Sequence, residues 1–247
     1  MGHSEPTPQI ILITGASRGI GAEVATQLAD RERHVIVNYR EKVRRANDVA
    51  EAIRESGGSA SLAQADLCDE PAVEAMLEEV KRRFGRLDIL VLNASGGMER
   101  GVDPDYAMRL NCDAQVRLAR LALLLIPPGG RIVFVTSHQA HFHPRKPVPA
   151  DYLPVAASKR EGENALRQMR PTLETMGIAL VVLSGDMIDG AITVGLLERR
   201  DPDAVAARRA AAPLPTVFGV RQRNRWRHPR ADCDGQTIYV GGLGYLQ

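Results

Sequence analysis

Short apolar runs alternate along the chain with longer amphipathic stretches. The runs are rich in Val, Ile and Leu with few polar interruptions, which is typical of strands buried on both faces of a sheet. They predict strands at residues 9–14, 34–39, 60–65, 89–93, 131–136, 179–184 and 237–240.

The stretches between these runs repeat their apolar residues at helical spacing. Prolines and glycines stand where helices usually begin and end. The spacing and these residues together predict helices at 18–31, 41–56, 71–84, within 104–125, at 154–176 and within 191–211. Because alternating strands and helices connect by right-handed crossovers, we expect an α/β protein. Its doubly wound, mostly parallel sheet of seven strands carries helices on both faces.

Length and composition narrow the class of protein. The 247 residues suffice for one large domain, and no linker or repeat divides them, so we expect a disordered lead-in at 1–8 and one domain at 9–247. A net charge of +2 is too small to indicate binding to nucleic acid or to a membrane surface. No apolar run approaches membrane-spanning length, so we expect no membrane partner. Three scattered cysteines, Cys68, Cys112 and Cys233, indicate reduced thiols and a cytoplasmic protein.

A glycine-rich turn, TGASRGIG at residues 14–21, joins the first predicted strand to the first predicted helix. Gly15 permits a tight turn, and Gly19 and Gly21 let the backbone approach a pyrophosphate and let the helix pack on the strand. The amides at the start of the helix are donors for an anion. The turn therefore predicts a dinucleotide site.

With this turn, the sequence resembles the short-chain dehydrogenase/reductase family over nearly its whole length. LVLNAS is similar to the Asn-Asn-Ala-Gly of the family, with Leu92 and Ser95 as departures. The other matching positions are Asp66, Asn93, Ala94, Asn111, Ser137, Lys159 and the closing strand within 235–242. The resemblance implies a single-domain Rossmann fold and hydride transfer between a nicotinamide and a carbonyl or alcohol carbon.

The end of the second predicted strand favours NADP(H) over NAD(H). An acidic residue there would bind a ribose diol, but the sequence has Asn38, Tyr39 and Arg40, with Arg18 in the glycine turn. Two guanidiniums favour a 2′-phosphate, although both arginines could instead be solvated surface residues. The expected cofactor-binding residues are Thr14, Gly15, Ser17, Arg18, Gly19, Ile20, Gly21, Asn38, Tyr39, Arg40, Asp66, Leu67, Asn93, Ala94, Ser95, Lys159, Gly185 and Met187.

The resemblance also implies a catalytic set of Ser137, a tyrosine, Lys159 and Asn111. Ser137 would bond the substrate oxygen, where negative charge develops. The tyrosine would give that oxygen its proton in reduction, with Lys159 as the cation that makes the phenol acidic enough. Asn111 would support a proton path through water.

The tyrosine does not stand where the family has it, four residues before the lysine. That position is Val155, and the nearest tyrosine, Tyr152, precedes Pro154. We expect Pro154 to push Leu153 into extended geometry and to leave Tyr152 in the loop before the helix. Three hypotheses follow: Tyr152 is a displaced proton donor, His138 or His141 replaces it, or activity is weak or lost. A loop about five residues longer than usual could carry Tyr152 into the site.

The remaining signals are weaker. HQAHFH at 138–143 is read as a polar loop of histidines near the mouth of the site, and no metal is expected. The resemblance places a mobile lid at 186–213 and implies a homodimer or homotetramer. An arginine-rich stretch at 221–230 could bind an acidic partner or nucleic acid, although a surface segment is the simpler interpretation. The alternative to an enzyme is a dinucleotide-binding protein that acts as a sensor or partner subunit.

Overall fold

A computed structural model describes residues 8–99, 101–186, 195, 198, 202–211 and 235–241. The strands are β1 (Gln9–Ile13), β2 (Arg33–Tyr39), β3 (Ser59–Gln64), β4 (Ile89–Leu92), β5 (Arg131–Ser137), β6 (Ala179–Gly185) and β7 (Thr237–Val240). All pair in parallel in one seven-stranded sheet of order β3-β2-β1-β4-β5-β6-β7. The prediction of a doubly wound seven-stranded sheet is confirmed.

The helices follow the strands in the expected places. They are α1 (Gly19–Leu28), α2 (Val43–Glu55), α3 (Glu70–Phe84), α4 (Tyr106–Met108), α5 (Gln115–Ala122), α6 (His138–His141), α7 (Leu153–Gln168), α8 (Arg170–Thr175) and α9 (Pro202–Ala211). A π-helical segment, Arg109–Ala114, joins α4 to α5, and a 3₁₀ turn, Ala150–Tyr152, leads into α7.

The sheet separates two apolar layers because neighbouring side chains on a strand point to opposite faces. Along β1, Ile10 and Leu12 pack with α3, α5, α7 and α8, whereas Ile11 and Ile13 pack with α1 and α2. Every central strand is therefore covered on both sides, which explains why the apolar runs of the sequence show so little alternation.

Local signals fix the ends of α3. The Asp69 carboxylate accepts a hydrogen bond from Ala72 N at 3.3 Å, and Pro71 stands in the first turn, where no amide donor is needed. Gly85 ends the helix in the left-handed region at φ 70°. Three basic residues in the last turn, Lys81, Arg82 and Arg83, interact favourably with the negative end of the helix dipole.

One predicted helix differs from the structure. The expected helix at 154–176 is divided at Met169 into α7 and α8. Pro171 explains the division because it has no amide hydrogen to continue the α7 ladder.

Several predictions fall outside the described residues. These are the lead-in at residues 1–7, Met187, most of the lid and the whole arginine-rich stretch. Among the residues that the structure does describe, no helix combines the length and the apolar composition needed to cross a membrane.

Candidate active site

The turn after β1 is shaped by its glycines. Gly15 and Gly19 have φ values of 61° and 59°, in the left-handed region that favours glycine. A Cβ on Gly15 would lie 2.9 Å from the Cα of Ala94. A Cβ on Gly21 would lie 2.5 Å from Asn93 Nδ2, so Gly21 lets α1 start against the end of β4. The Arg18 side chain makes no cap hydrogen bond to α1, which leaves the first amides of this helix available to an anion.

Thr14 and Asn93 join the ends of β1 and β4. The Thr14 hydroxyl accepts hydrogen bonds from the amides of Asn93 at 2.9 Å and Ala94 at 3.0 Å, and donates to Val91 O at 3.2 Å. The Asn93 side chain donates back to Thr14 O at 2.9 Å. Both residues were predicted to contact the cofactor, and the described bonds use their polar groups to hold the floor of the crevice.

Asn38 has a similar internal role at the end of β2. Its Oδ1 accepts from Gly15 N at 3.2 Å, and its Nδ2 donates to Ala63 O at 3.2 Å and Ala65 O at 3.3 Å. The buried amide thus joins the carboxyl ends of three strands. Sequence reasoning placed Asn38 in the cofactor site because an acid was missing there, and its contacts show a support of the glycine turn.

The side chains that could face a nucleotide lie around this floor. Arg18, Arg40 and Ser95 are exposed, and Asp66 is half-buried with one carboxylate oxygen accepting from Cys68 N at 2.9 Å. Arg40 Nη1 donates to the Tyr106 hydroxyl at 2.7 Å. The rest of the predicted set lies along the same edge: Ser17, Ile20, Tyr39, Leu67, Ala94 and Gly185.

Ser137 and Tyr152 meet at the carboxyl end of β5. Their hydroxyl oxygens lie 3.0 Å apart, and Tyr152 is only 4% exposed. Ser137 also caps α6 by accepting from Ala140 N at 3.1 Å. The 3₁₀ turn places Tyr152 directly before α7, so the lengthened loop does bring this tyrosine to the serine.

The expected geometry of Leu153 is wrong. Its φ of −55° and ψ of −45° are helical, so the chain runs from the 3₁₀ turn into α7 without an extended residue. Proline disfavours helical geometry in the residue before it without forbidding it, and here the burial of Tyr152 outweighs that preference.

Lys159 lies on α7, seven residues after Tyr152. It is 9% exposed, and its Nζ donates to Val135 O at 3.2 Å. Burial lowers the pKa of Lys159 from 10.5 to about 8, because the ammonium loses hydration without gaining an anion. The amine is therefore poised to change charge close to neutral pH.

Val155 contributes to an apolar wall beside Tyr152. The buried members of this cluster are Met98, Ala140, Tyr152, Val155, Ala156 and Val205. Val205 comes from α9, within the predicted lid, so this part of the lid segment closes over the same wall.

Asn111 lies in the π-helical segment and is fully committed within the protein. Its Oδ1 accepts from Gly96 N at 3.1 Å, and its Nδ2 donates to Gly96 O at 2.9 Å and Ser158 Oγ at 3.0 Å. A Cβ on Gly162 would lie 2.5 Å from the carbonyl oxygen of Asn111, so α7 packs tightly on this segment. Asn111 thereby fixes the loop after β4 to the helix that carries Lys159.

The interpretation of His138 and His141 as polar loop residues is wrong. Both lie on α6 and are buried. His138 Nε2 donates to Gly241 O at 3.2 Å, which leaves Nδ1 to accept from Ser184 Oγ at 2.8 Å. Sequence reasoning missed that these side chains anchor α6 to β6 and to the segment after β7.

His141 belongs to a buried charged network that sequence reasoning also missed. Its Nδ1 lies 2.8 Å from Glu163 Oε2, and its Nε2 lies 3.1 Å from the Tyr239 hydroxyl. Glu163 is 0% exposed and also accepts from Arg167 Nε at 2.8 Å. Burial acts to raise the pKa of Glu163, but the contacts with His141 and Arg167 outweigh it and hold the pKa below its ordinary value. Arg160, three residues before Glu163, and Arg167, four residues after it, gave the sequence signal for this network through their helical spacing.

The histidines do not gather further ligands. Within the described ranges, no group of three or more His, Cys, Asp or Glu side chains is arranged to hold a metal ion.

Comparison with known proteins agrees with this architecture. The family model for short chain dehydrogenase matches residues 9–201. The chain belongs to this family.

Two curated relatives are reductases. Hydroxynaphthalene reductase arp2 of Aspergillus fumigatus is 41% identical over 137 residues, which are 52% of this chain and 50% of that protein. The 1-cyclohexenylcarbonyl-CoA reductase of Streptomyces collinus is 34% identical over 190 residues, 73% of this chain and 65% of that protein. The matched region thus spans about half the length of the first of these relatives.

Solved structures match over more of the chain. The angucycline C-6 ketoreductase LanV with bound NADP has a TM-score of 0.80 and 25% identity, covering 100% of both chains. A short chain dehydrogenase from Burkholderia cenocepacia J2315 in complex with NADP has a TM-score of 0.78 and 25% identity, covering 96% of this chain and 98% of that one.

Proposed function

We propose that the protein is an NADP(H)-dependent oxidoreductase that reduces a ketone or aldehyde to an alcohol. The observation that carries the proposal is the 3.0 Å contact between the hydroxyls of Ser137 and Tyr152. The buried Lys159 donates to Val135 O, two residues before Ser137 on the same strand. The family supports it, as do relatives named as reductases and structural neighbours named as ketoreductases.

The crevice at the carboxyl ends of β1 and β4 fits a nicotinamide dinucleotide, which supplies a hydride when bound. Left-handed glycines and the uncapped start of α1 suit its pyrophosphate. Exposed Arg18 and Arg40 suit a 2′-phosphate, and Asp66 suits the adenine. The NADP named with two structural neighbours supports the same preference.

The proton chemistry falls to the displaced tyrosine. Ser137 and Tyr152 present two hydroxyls to one carbonyl oxygen, where negative charge grows during reduction. Tyr152 donates its phenolic proton to that oxygen, and the positive charge of Lys159 makes this donation easier. Asn111 acts indirectly, because its bonds to Gly96 and Ser158 hold the surrounding loop and helix in place.

The apolar wall favours a substrate with an apolar body. Met98, Val155 and Val205 pack with Tyr152 in one buried apolar cluster, and none of the three has a polar group for a small charged keto acid. We therefore propose a cyclic or aromatic ketone as the substrate class, in keeping with the hydroxynaphthalene and angucycline named for relatives.

The hypothesis of histidine as the proton donor loses support from the contacts of both rings. Both ring nitrogens of His138 are hydrogen-bonded, to Ser184 and Gly241. Those of His141 are hydrogen-bonded to Glu163 and Tyr239. The sensor hypothesis shares the cofactor site but gives no reason for Tyr152 to be buried against Ser137. A homodimer or homotetramer and a cytoplasmic location remain proposals drawn from the family.

The test compares wild type with Tyr152→Phe in NADPH oxidation, using an apolar bicyclic ketone and a small keto acid. We expect turnover of the bicyclic ketone and a fall in kcat of about 10²- to 10⁴-fold in the variant, with NADPH affinity unchanged. His138→Gln and His141→Gln test the histidine hypothesis, because they remove each imidazole without touching the two hydroxyls. Equal kcat in wild type and Tyr152→Phe contradicts the displaced acid, and NADPH binding without any turnover supports the sensor.

A further inference from the structure

A hydrogen bond crosses the crevice at its nucleotide end. Arg40 Nη1 donates to the hydroxyl of Tyr106 at 2.7 Å, although 66 residues separate them. Arg40 follows β2 and Tyr106 opens α4, after β4, whereas β1 lies between these two strands in the sheet. The order of strands reverses between β1 and β4, which is where a doubly wound sheet opens a ligand crevice. The bond therefore joins the two sides of that crevice.

Packing holds the Tyr106 ring in a defined position. A Cβ on Gly96 would lie 2.9 Å from Tyr106 Cε1 and 3.1 Å from Leu110 Cδ2, so the ring rests directly on the Gly96 backbone. Burial raises the pKa of Tyr106, which keeps its hydroxyl neutral. A neutral hydroxyl can accept the bond from Arg40 and hold its guanidinium in one direction.

Arg40 is held from two directions but is not buried. Its Nε lies 3.0 Å from Glu41 Oε1, and its side chain is 49% exposed. The contacts with Tyr106 and Glu41 use two N–H donors of the Arg40 guanidinium. Its remaining N–H groups are available to a ligand. A guanidinium already fixed in place loses less side-chain freedom when it binds an anion.

We propose that Tyr106 is a positioning residue that holds Arg40 to recognise the 2′-phosphate of the adenosine, and so contributes to the choice of NADP(H) over NAD(H). This inference rests on the proposed function, because it assumes that an adenine dinucleotide occupies the crevice. Tyr106 acts through Arg40, because its hydroxyl accepts one guanidinium donor and thereby fixes the direction of the others.

The test measures binding of two fragments to the full chain by isothermal titration calorimetry: 2′,5′-ADP, which carries the 2′-phosphate, and 5′-ADP, which does not. We expect Tyr106→Phe to weaken binding of 2′,5′-ADP about three- to tenfold, the size of one typical hydrogen bond, and to leave binding of 5′-ADP unchanged. Arg40→Leu should weaken 2′,5′-ADP further. The double variant should match Arg40→Leu alone, because Tyr106 acts through that side chain. Arg109→Gln, an exposed arginine that pairs with Asp103 in the same helical region, is the control and should change neither affinity.

Each other outcome has a distinct meaning. If Tyr106→Phe weakens both fragments equally, Tyr106 supports the adenosine pocket in general and the proposal is wrong. If the losses from Tyr106→Phe and Arg40→Leu add, the two residues act independently and the proposal is wrong. If Arg40→Leu abolishes the preference for 2′,5′-ADP but Tyr106→Phe keeps it, the positioning role fails while the proposed use of NADP(H) stands. If wild type shows no preference for 2′,5′-ADP, both fail together.

Discussion

The two ends of the crevice are built by different kinds of contact. At the nucleotide end, residues 14–21 and 93–96, backbone groups and small side chains meet, and Gly15 and Gly21 allow that approach. At the catalytic end, residues 137–159, the supports are buried polar side chains from distant parts of the chain. His138 reaches the carbonyl of Gly241 over 103 residues, and His141 reaches Tyr239 over 98.

Because of this difference, the two ends should tolerate different substitutions. The nucleotide end depends on the absence of side-chain atoms, so an added methyl group is the damaging change. The catalytic end depends on the presence of particular polar atoms, so a lost charge or proton is the damaging change. The family's glycine turn is kept at the first end, where the departures are Leu92 and Ser95, whereas the catalytic tyrosine is displaced at the second end, where Tyr152 precedes the helix.

Loss of the Glu163 charge should have the largest effect. Glu163→Gln leaves Arg160, Arg167 and His141 beside a neutral amide at a fully buried position, so we expect the free energy of unfolding to fall by about 3–5 kcal/mol. Urea denaturation measures this loss. The matched control is Glu174→Gln, which removes an exposed partner of Arg170 and should cost about 0–1 kcal/mol. Turnover and NADPH affinity can also be measured under conditions where Glu163→Gln is folded. If both fall equally, the nucleotide end and the catalytic end do not depend on separate contacts.

A methyl group at Gly21 should damage the other end. Its Cβ would lie 2.5 Å from Asn93 Nδ2 and 2.7 Å from Gly15 O, so we expect Gly21→Ala to cost about 1–3 kcal/mol of stability and to weaken NADPH binding. Gly57→Ala is the control, because its left-handed φ of 82° adds strain but nothing lies within 4 Å of the new methyl. Fluorescence titration with NADPH should separate them, and equal affinities in the two variants would contradict the role given to Gly21.

The smallest effect concerns pH. The Lys159 ammonium loses its proton as pH rises through about 8, so we expect kcat for ketone reduction to fall above that pH, by at most about tenfold per unit. Unfolding does not explain such a fall: because the unfolded chain binds the proton up to 10.5, stability contributed by this residue rises between pH 8 and 10.5. Rate profiles of wild type and Lys159→Arg provide the test. A guanidinium keeps its charge, so any activity that Lys159→Arg retains should show no decline near pH 8. A decline in both at the same pH would assign it to another group.

The contrast between local contacts at the nucleotide end and distant contacts at the catalytic end also explains which features the sequence could predict. The strands and the glycine turn were predicted correctly because their signals, apolar runs and closely spaced glycines, are local in the chain. The histidines of α6 were misjudged because their partners, Ser184, Glu163, Tyr239 and Gly241, have no pattern that links them in sequence. Leu153 was misjudged because a local steric preference was weighed without the burial of Tyr152. The contact of Tyr152 with Ser137 was one of three open hypotheses, since loop length alone cannot fix where a side chain packs.

The place of β7 in the chain also bears on how the protein is made. Tyr239 and Gly241 leave the ribosome after the rest of the described residues, yet they supply the last partners of His141 and His138. Since domains begin to fold while they are synthesised, β1 to β6 can pair and the glycine turn can close before these two residues are available. A nascent chain would then acquire its nucleotide crevice first and its finished acid–base machinery last. Nascent chains should therefore be retained on an NADP-bearing resin before they show reductase activity.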